Sequence, residues 1–245
     1  MSPELSVVIP FYDEEDNVAP LLFELRDALR ALGRSYELLL VDDGSRDGTA
    51  ACLEKATADW PEARVLLLAR NSGQASALLC GLHLARGAIL ATLDGDGQND
   101  PVDLAKVVAA IDGGADLAAG VRAHRNDSAL RLAMSRIANR VRARILGDGL
   151  RDSGCALKAF RREVLASFLP IRTLYSFMPA LAVAAGHRVV EVEVGHRPRI
   201  RGESKYGLRV MLWRPLVDLV GVAWFLSRRV SASPPLRDLH ENGGS

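Results

Sequence analysis

Three pairs of acids stand where apolar runs of this chain end. Asp13 and Glu14 follow residues 5–10, Asp42 and Asp43 follow residues 36–41, and Asp94 and Asp96 follow residues 88–93. Carboxylates gathered this way repel one another unless a cation offsets the charge. Asp94-Gly95-Asp96-Gly97-Gln98 is the sharpest of the three. In extended backbone, residues i and i+2 face the same way, about 6.6 Å apart. Two hard oxygen ligands at that spacing can grip Mg²⁺ or Mn²⁺ and leave coordination positions for phosphate oxygens and water. Gly95 and Gly97 would let a bulky diphosphate approach the backbone, and the ion would neutralise charge growing on a departing nucleotide diphosphate. The plainer alternative is that strand ends are solvated and such acids cap the helices that follow.

The elements that must position these acids alternate. Short β-branched or apolar runs at 5–10, 36–41, 65–68, 88–93 and 116–121 are expected as strands. The first intervening helix carries Val18, Leu21, Leu22, Leu25, Leu29 and Leu32 on one stripe, with Asp16 as its cap and Gly33 as its stop. Further helices are expected from about 48, through 75–85 and over 101–111. This alternation implies an α/β fold with a doubly wound, mostly parallel, Rossmann-like sheet, in which ligands bind beyond the carboxyl ends of the strands. After residue 121 the rhythm changes. A basic helix over 128–146 is expected, with Leu130, Met134, Ile137, Val141 and Ile145 forming its apolar stripe, and a small helix follows Arg161. Another helix spans 177–185, and residues 188–194 alternate like a strand. Amphipathic helix broken at Pro215 fills 206–229, and the polar, Pro- and Gly-rich stretch 231–245 is expected to be disordered.

A chain of 245 residues with net charge +1 suits one large domain with a short appendage. The charge is uneven. Residues 122–144 hold seven arginines against Asp127, and residues 197–229 hold eight Lys/Arg against Glu203 and Asp218. Two basic patches on an otherwise acidic chain suggest an anionic partner. The three cysteines, Cys52, Cys80 and Cys155, form no C-x-x-C pair. They fit a reducing cytoplasm rather than a disulfide framework or zinc site, and residues 1–4, running straight into the first strand, are expected to hold no targeting segment. Neither a P-loop nor a G-x-G-x-x-G fingerprint is present.

Four motifs occur in order: V-V-I-P-F-Y-D-E-E-D-N at 7–17, L-V-D-D-G-S-R-D-G-T at 40–49, N-S-G-Q-A-S-A-L at 71–78 and L-D-G-D-G-Q-N-D-P at 93–101. Together they resemble glycosyltransferase family 2 with the GT-A fold. D-S-G-C-A-L-K-A-F-R-R-E-V at 152–164 and R-G-E-S-K-Y-G at 201–207 resemble, within it, the dolichyl-phosphate mannose synthase and bacterial polyprenyl-phosphate sugar synthase branch. The resemblance implies a GT-A catalytic domain over 1–202, with a nucleotide-sugar half to about 121 and an acceptor half after it. C-terminal amphipathic helices at a membrane interface would occupy 203–230. It further implies that Pro10, Tyr12 and Glu14 line the base and ribose pocket with Asp42 and Asp43 beside them, and that Asn71, Gln74 and Gly95 lie near the nucleotide or sugar. Asp94, Asp96 and Gln98 would bind the metal and diphosphate. Arg122, Arg131 and Ser135 would hold a lipid phosphate, with Arg199, Arg201, Ser204 and Lys205 closing over it. Tyr175-Ser176-Phe177 departs from a His-Arg pair common in relatives, which leaves sugar recognition open.

A phosphate acceptor needs fixed cations, which Arg122, Arg131 and Lys205 would supply. Being already anionic, it could attack the anomeric carbon without a general base, by positioning and electrostatics, with inversion. Asp152 would then order an arginine; with a hydroxyl acceptor it would act as base. Arg136, Arg140 and Arg144 recur on one helical face, either as phosphate contacts or as a solvated surface. Within 208–229 the longest uncharged run, 219–227, is nine residues, against the roughly 20 of a membrane span. Trp213, Leu216, Val217, Val220, Trp224 and Phe225 with flanking arginines suit a helix lying peripherally on the inner face of the cytoplasmic membrane. The same helix could instead pack on the domain or join a homo-oligomer. The rival functions are a family 2 enzyme acting on a glycan hydroxyl and a non-enzymatic nucleotide-binding module. Nucleic acid is disfavoured because the basic patches lack interleaved aromatic platforms.

Overall fold

The computed structural model describes residues 2–122, 139–197 and 208–229, with the side chains of 208–215 excepted. Its centre is one seven-stranded sheet in the order β3-β2-β1-β4-β6-β5-β7. The strands are β1 (Leu5–Phe11), β2 (Tyr36–Asp42), β3 (Ala63–Leu67), β4 (Ile89–Thr92), β5 (Leu117–Arg122), β6 (Lys158–Arg161) and β7 (Val189–Val194). The helices are α1 (Glu15–Ala31), α2 (Thr49–Thr57), α3 (Gln74–Leu84), α4 (Leu104–Asp112), α5 (139–146 of its described part), α6 (Leu174–Ala184) and α7 (Leu208–Arg228).

Both faces of the sheet are covered, which is why β1 and β2 read as nearly unbroken apolar runs. Successive side chains alternate between two cores. Val7, Ile9 and Phe11 of β1 meet Val18, Leu25 and Leu29 of α1 and Val107 and Ile111 of α4. Val8, Leu39 and Val41 meet α3, α6 and the two α7 residues Leu219 and Val222.

The expected doubly wound α/β arrangement is present, with one strand that the apolar pattern does not signal. β6 is four residues long and contains a lysine, yet it sits mid-sheet, antiparallel to both β4 and β5. Thr92 and Ala119 are its register partners at Lys158. Because β6 runs backwards, its amino end and the 152–157 segment before it reach the same sheet edge as the carboxyl ends of β4 and β5. Its reversal, more than any other feature, assembles the site.

Several local expectations change. Asp16 is not the cap of α1; Glu14 holds that position without a side-chain bond, and Asp16 lies in the first turn. Gly33 does end the helix, at φ +64°. The small helix after Arg161 is 3₁₀, spanning Arg162–Ser167, and α6 begins at Leu174, earlier than expected. α7 continues through Pro215 as one helix. A proline removes one backbone donor but need not end a helix that its flanks hold in place. The clearest reversal is in α5. Val141 and Ile145 of the expected apolar stripe are exposed, while Arg142 is buried. Arg142 pairs with Asp148 at 2.9 Å and donates to the Leu150 carbonyl at 2.9 Å, so a salt bridge takes the inward position.

Candidate functional site

The carboxyl ends of β1 and β2 are laced together through their loops. Asp13 accepts from Arg46 N at 2.7 Å, and its own N–H donates to Ser45 Oγ at 2.9 Å. Asp13 adopts φ +49°, in the left-handed region that an aspartate tolerates better than most residues. Glu14 N donates to Thr49 Oγ1 at 2.8 Å, and Asn17 Nδ2 donates to Glu14 Oε2 at 2.6 Å. Asp42 is buried and accepts from the Ser45 hydroxyl. Asp43 is buried too, and its two oxygens accept from Ser72 N at 2.7 Å and Gly73 N at 2.8 Å. Burial, outweighing those two bonds, raises its pKa, and the neighbouring Asp42 charge adds to the rise. Asp43 therefore shapes the loop leading into α3, which carries Asn71 and Gln74. For these acids the plainer reading, loop bracing, accounts for much of the geometry.

The β4 pair is different. Asp94 and Asp96 are half-buried on the turn after Thr92 and Leu93. Gln74 reaches across from α3, donating to Asp94 Oδ1 at 2.6 Å. Gln98 meets Asp96 through its backbone N–H, at 3.1 Å. Gly95 is needed for a reason other than ligand access. A Cβ there would stand 2.5 Å from Phe11 Cδ1 and 2.9 Å from the Pro10 carbonyl, so only glycine lets the turn close over β1. Gly97, at φ +71° with open space around it, keeps the outer side of the turn clear. The donor set fits Mg²⁺ or Mn²⁺. Two hard carboxylates are in place, and among the described residues no group of three metal-ligating side chains converges to fill the remaining positions.

Across β6 lies the second half. Arg122, the last residue of β5, donates to Asp152 through Nε at 2.8 Å and Nη2 at 2.9 Å, a two-point grip. Asp152 also accepts from Gly154 N at 3.0 Å. Although burial opposes it, the Arg122 guanidinium and these N–H donors hold the Asp152 carboxyl below the ordinary carboxylate range. Such a group is a poor proton acceptor near neutrality, and the geometry favours its role in ordering Arg122. A depressed folded pKa adds stability above the unfolded value and loses it as pH falls through the folded one. The Arg122–Asp152 contribution is thus expected to persist at neutral and mildly acidic pH and to vanish only below the normal carboxylate range. Acid unfolding of native protein and of Asp152→Asn would converge only there; convergence near neutrality would contradict it.

Two residues of this region, Lys158 and Arg197, are absent from the expected site. Lys158 is 0% exposed, with its ammonium on the Cys155 carbonyl. Burial lowers its pKa, opposed by Cys155, Asp152 and Asp94 in turn. Tyr175, on the first turn of α6, lies with its ring 5.6 Å from Lys158 Nζ. A lysine inside a strand carries no local signal of burial; only the reversal of β6 puts it there. Arg197 donates to Glu24 at 2.6 Å and Asp100 at 2.7 Å, while its backbone N–H donates to the Gln98 carbonyl at 2.9 Å. The chain thereby enters 198–207 anchored beside the Asp94–Asp96 turn. Arg131, Ser135, Arg199, Arg201, Ser204 and Lys205 lie outside the described residues.

Comparison with known proteins bears on this arrangement. The family model described as Glycosyl transferase family 2 matches residues 6–169. An undecaprenyl-phosphate 4-deoxy-4-formamido-L-arabinose transferase of Shewanella sediminis (strain HAW-EB3) is 38% identical over 242 residues, 98% of this chain and 70% of that protein. The enzyme of the same description from Edwardsiella ictaluri (strain 93-146) is 40% identical over 218 residues, 88% of this chain and 66% of that protein. The chain thus spans about two thirds of the length of these relatives. Among solved structures, glucosyl-3-phosphoglycerate synthase from Mycobacterium tuberculosis with Mg²⁺ and uridine diphosphate is similar at TM-score 0.67 and 19% identity, over 90% of this chain and 79% of that one. A mannosyltransferase from Pyrobaculum calidifontis in complex with GDP-Man and Mn²⁺ is similar at TM-score 0.62 and 22% identity, over 96% of this chain and 67% of that one. At those identities the two likenesses concern the fold, which is GT-A. The ordered motifs, the sheet and the matched family model converge, and the chain belongs to glycosyl transferase family 2.

Proposed function

We propose that this glycosyltransferase moves a sugar from a uridine or guanosine diphosphate donor to a polyprenyl phosphate, with inversion, at a membrane surface. One observation carries the reading: the Asp94–Asp96 turn and the Asp152-ordered Arg122 stand at the same sheet edge, separated by β6. The first can hold the donor's diphosphate through a divalent ion, and the second can meet an anionic acceptor. The names of the similar transferases from Shewanella and Edwardsiella support undecaprenyl phosphate as the acceptor class.

In this reading, Asp94, Asp96 and Gln98 would hold Mg²⁺ or Mn²⁺ and the diphosphate. The ion would offset charge on the leaving nucleotide. Pro10, Tyr12, Glu14 and Asp42 line the base and ribose side. Asp43 shapes the loop that presents Asn71 and Gln74. Arg122 receives the acceptor phosphate, joined by Arg131, Ser135, Arg199, Arg201, Ser204 and Lys205. The phosphate needs no base, in keeping with the low pKa of Asp152. A hydroxyl acceptor would require Asp152 to take a proton, which its two-point bond to Arg122 opposes. Incubation with short polyprenyl phosphate, Mn²⁺ and a panel of radiolabelled nucleotide sugars tests the reading. Label is expected in the lipid with one donor, and label only in a glycan or peptide acceptor would overturn it.

The membrane part of the proposal rests on α7 and α5. Leu219 and Val222 of α7 face the core, and Asp218 accepts from Thr173 N at 3.1 Å and Thr173 Oγ1 at 2.6 Å, which fixes the helix in place. The opposite arc, with Val220 at 71% and Trp224 at 64% exposure, stays open beside Arg228 and Arg229. Val141 and Ile145 of α5 are likewise open, between exposed Arg140 and Arg144. Apolar residues rimmed by arginine suit the boundary of an anionic leaflet. Among the described residues no helix is long and apolar enough to cross a membrane. Vesicles with anionic lipid are expected to bind the protein about tenfold more weakly after Trp224→Ala and Val220→Ser together. Unchanged vesicle binding with a concentration-dependent loss of dimer would identify the arc as a subunit contact instead.

A further inference from the structure

The segment that follows the Asp94–Asp96 turn is held from two sides. On one side stands the exit of β7. The Arg197 N–H donates to the Gln98 carbonyl at 2.9 Å, and its guanidinium donates to Asp100 Oδ2 at 2.7 Å and to Glu24 Oε2 of α1 at 2.6 Å. Two residues earlier, Gly195 N donates to the buried Asp103 at 2.6 Å. On the other side, Asn99 is buried, and its amide lies 3.7 Å from Cys155 Sγ, just ahead of β6. Between α1 and the turn is a hollow whose lining includes Asn17, Glu24, Gly97 and Arg197. A Cβ on Gly97 would meet nothing within 4 Å. The outgoing arm of the turn therefore takes its position from the bonds of residues 98–100 and not from packing at Gly97.

Stability does not account for the Arg197 ties. Both ion pairs are partly open to solvent, and such pairs add little to folding, because water already solvates the ions and two side chains must be ordered. Their geometry is specific, however. One planar guanidinium spans two carboxylates from different elements, α1 and the cap of the 3₁₀ turn at Pro101–Asp103. Asp100 keeps its other oxygen for that cap, accepting from Val102 N at 3.1 Å. The geometry points to Arg197 as a positioning residue for the donor site. By fixing Asp100 against α1 and the Gln98 carbonyl against its own backbone, it holds the Gln98 arm of the turn where the donor's diphosphate and cation are received. This rests on the reading of Asp94, Asp96 and Gln98 as that site. Arg197 would act through the turn and leave the sugar's own contacts to other residues.

The test titrates the full chain calorimetrically with UDP and with GDP in the presence of Mn²⁺, and follows melting separately without ligand. Arg197→Met is expected to bind the nucleotide diphosphate about tenfold more weakly, the lower end of the loss that follows removal of an outer partner of a metal site. Its melting temperature should be nearly unchanged. Arg197→Lys keeps the charge and is expected to recover part of the lost affinity. Asp100→Asn keeps the cap oxygen and loses the charge. Combined with Arg197→Met it is expected to bind no more weakly than Arg197→Met alone, because both remove one tie. Arg26→Met, which breaks a comparable two-point bond between α1 and Asp59, is the control and should leave the affinity as it was. A loss in Arg197→Met no larger than that in Arg26→Met would overturn the inference. So would a fall in melting temperature that accounts for the weaker binding, no recovery with lysine, or additive losses in the double variant. If the native chain binds neither nucleotide with Mn²⁺, the donor-site reading itself falls before any variant is compared, and this inference with it.

Discussion

Asp96→Asn is expected to slow sugar transfer about a thousandfold, close to 4 kcal/mol of transition-state stabilisation, while leaving the protein folded. The oxygen that accepts from Gln98 N is retained in asparagine, so the turn keeps that bond. What is lost is half of the negative charge that a divalent ion needs at this end of β4. In the absence of any cation, Asp94 and Asp96 repel each other, so neutralising one removes a cost. The melting temperature without ligand should therefore hold or rise, and the increase in melting temperature that Mn²⁺ with UDP or GDP brings to the native protein should disappear. Transfer at the native rate by Asp96→Asn would dissociate the reaction from this turn. A large fall in melting temperature would instead make Asp96 a structural residue.

The second large effect falls on Arg122, where chemistry and stability are joined. Arg122→Met should lower transfer about a hundredfold by removing the cation that meets the acceptor phosphate. It should also cost about 3 kcal/mol of stability, because Asp152 would be left buried and charged without its partner. The double variant Arg122→Met with Asp152→Asn separates the two. A neutral amide needs no counter-charge and can still accept from Gly154 N, so most of the stability should return. Transfer should not. Denaturant unfolding gives the first quantity and labelled-lipid formation the second. Recovery of both together would mean that Arg122 serves only the fold. Asp152→Asn alone keeps an acceptor for Arg122, so a modest loss is expected if Asp152 orders the arginine. A loss of three or more orders of magnitude would instead point to proton abstraction.

The Arg142–Asp148 pair shows why the basic segment 122–144 cannot be treated as one surface. Arg142 lies inside the protein, burial lowers its pKa, and its Nε lacks a partner among the described residues, whereas Arg140 and Arg144 face outward. Charge in the sequence marks the segment as basic, but which arginines meet an anion depends on how the helix is rolled against the sheet.

What the sequence determined by itself is the set of local patterns. Short apolar runs placed five of the seven strands and an alternating pattern placed β7, the stripe of leucines placed α1, and the acids after β1, β2 and β4 marked the sheet edge at which the proposed site lies. These were legible because they depend on neighbours within a few residues. The tertiary structure decided what depends on distant partners. β6 is too short and too polar to announce itself, and only pairing between β4 and β5 makes it a strand. That pairing, run antiparallel, carries Asp152, Cys155 and Lys158 to the edge where Asp94 and Arg122 already stand. It likewise sorts the acids: Asp43 is consumed by the backbone of Ser72 and Gly73, while Asp94 and Asp96 remain on an open turn. Residue type supplies the charge, but burial and hydrogen-bond geometry decide whether that charge braces a loop or meets a ligand, and those are properties of the folded chain alone.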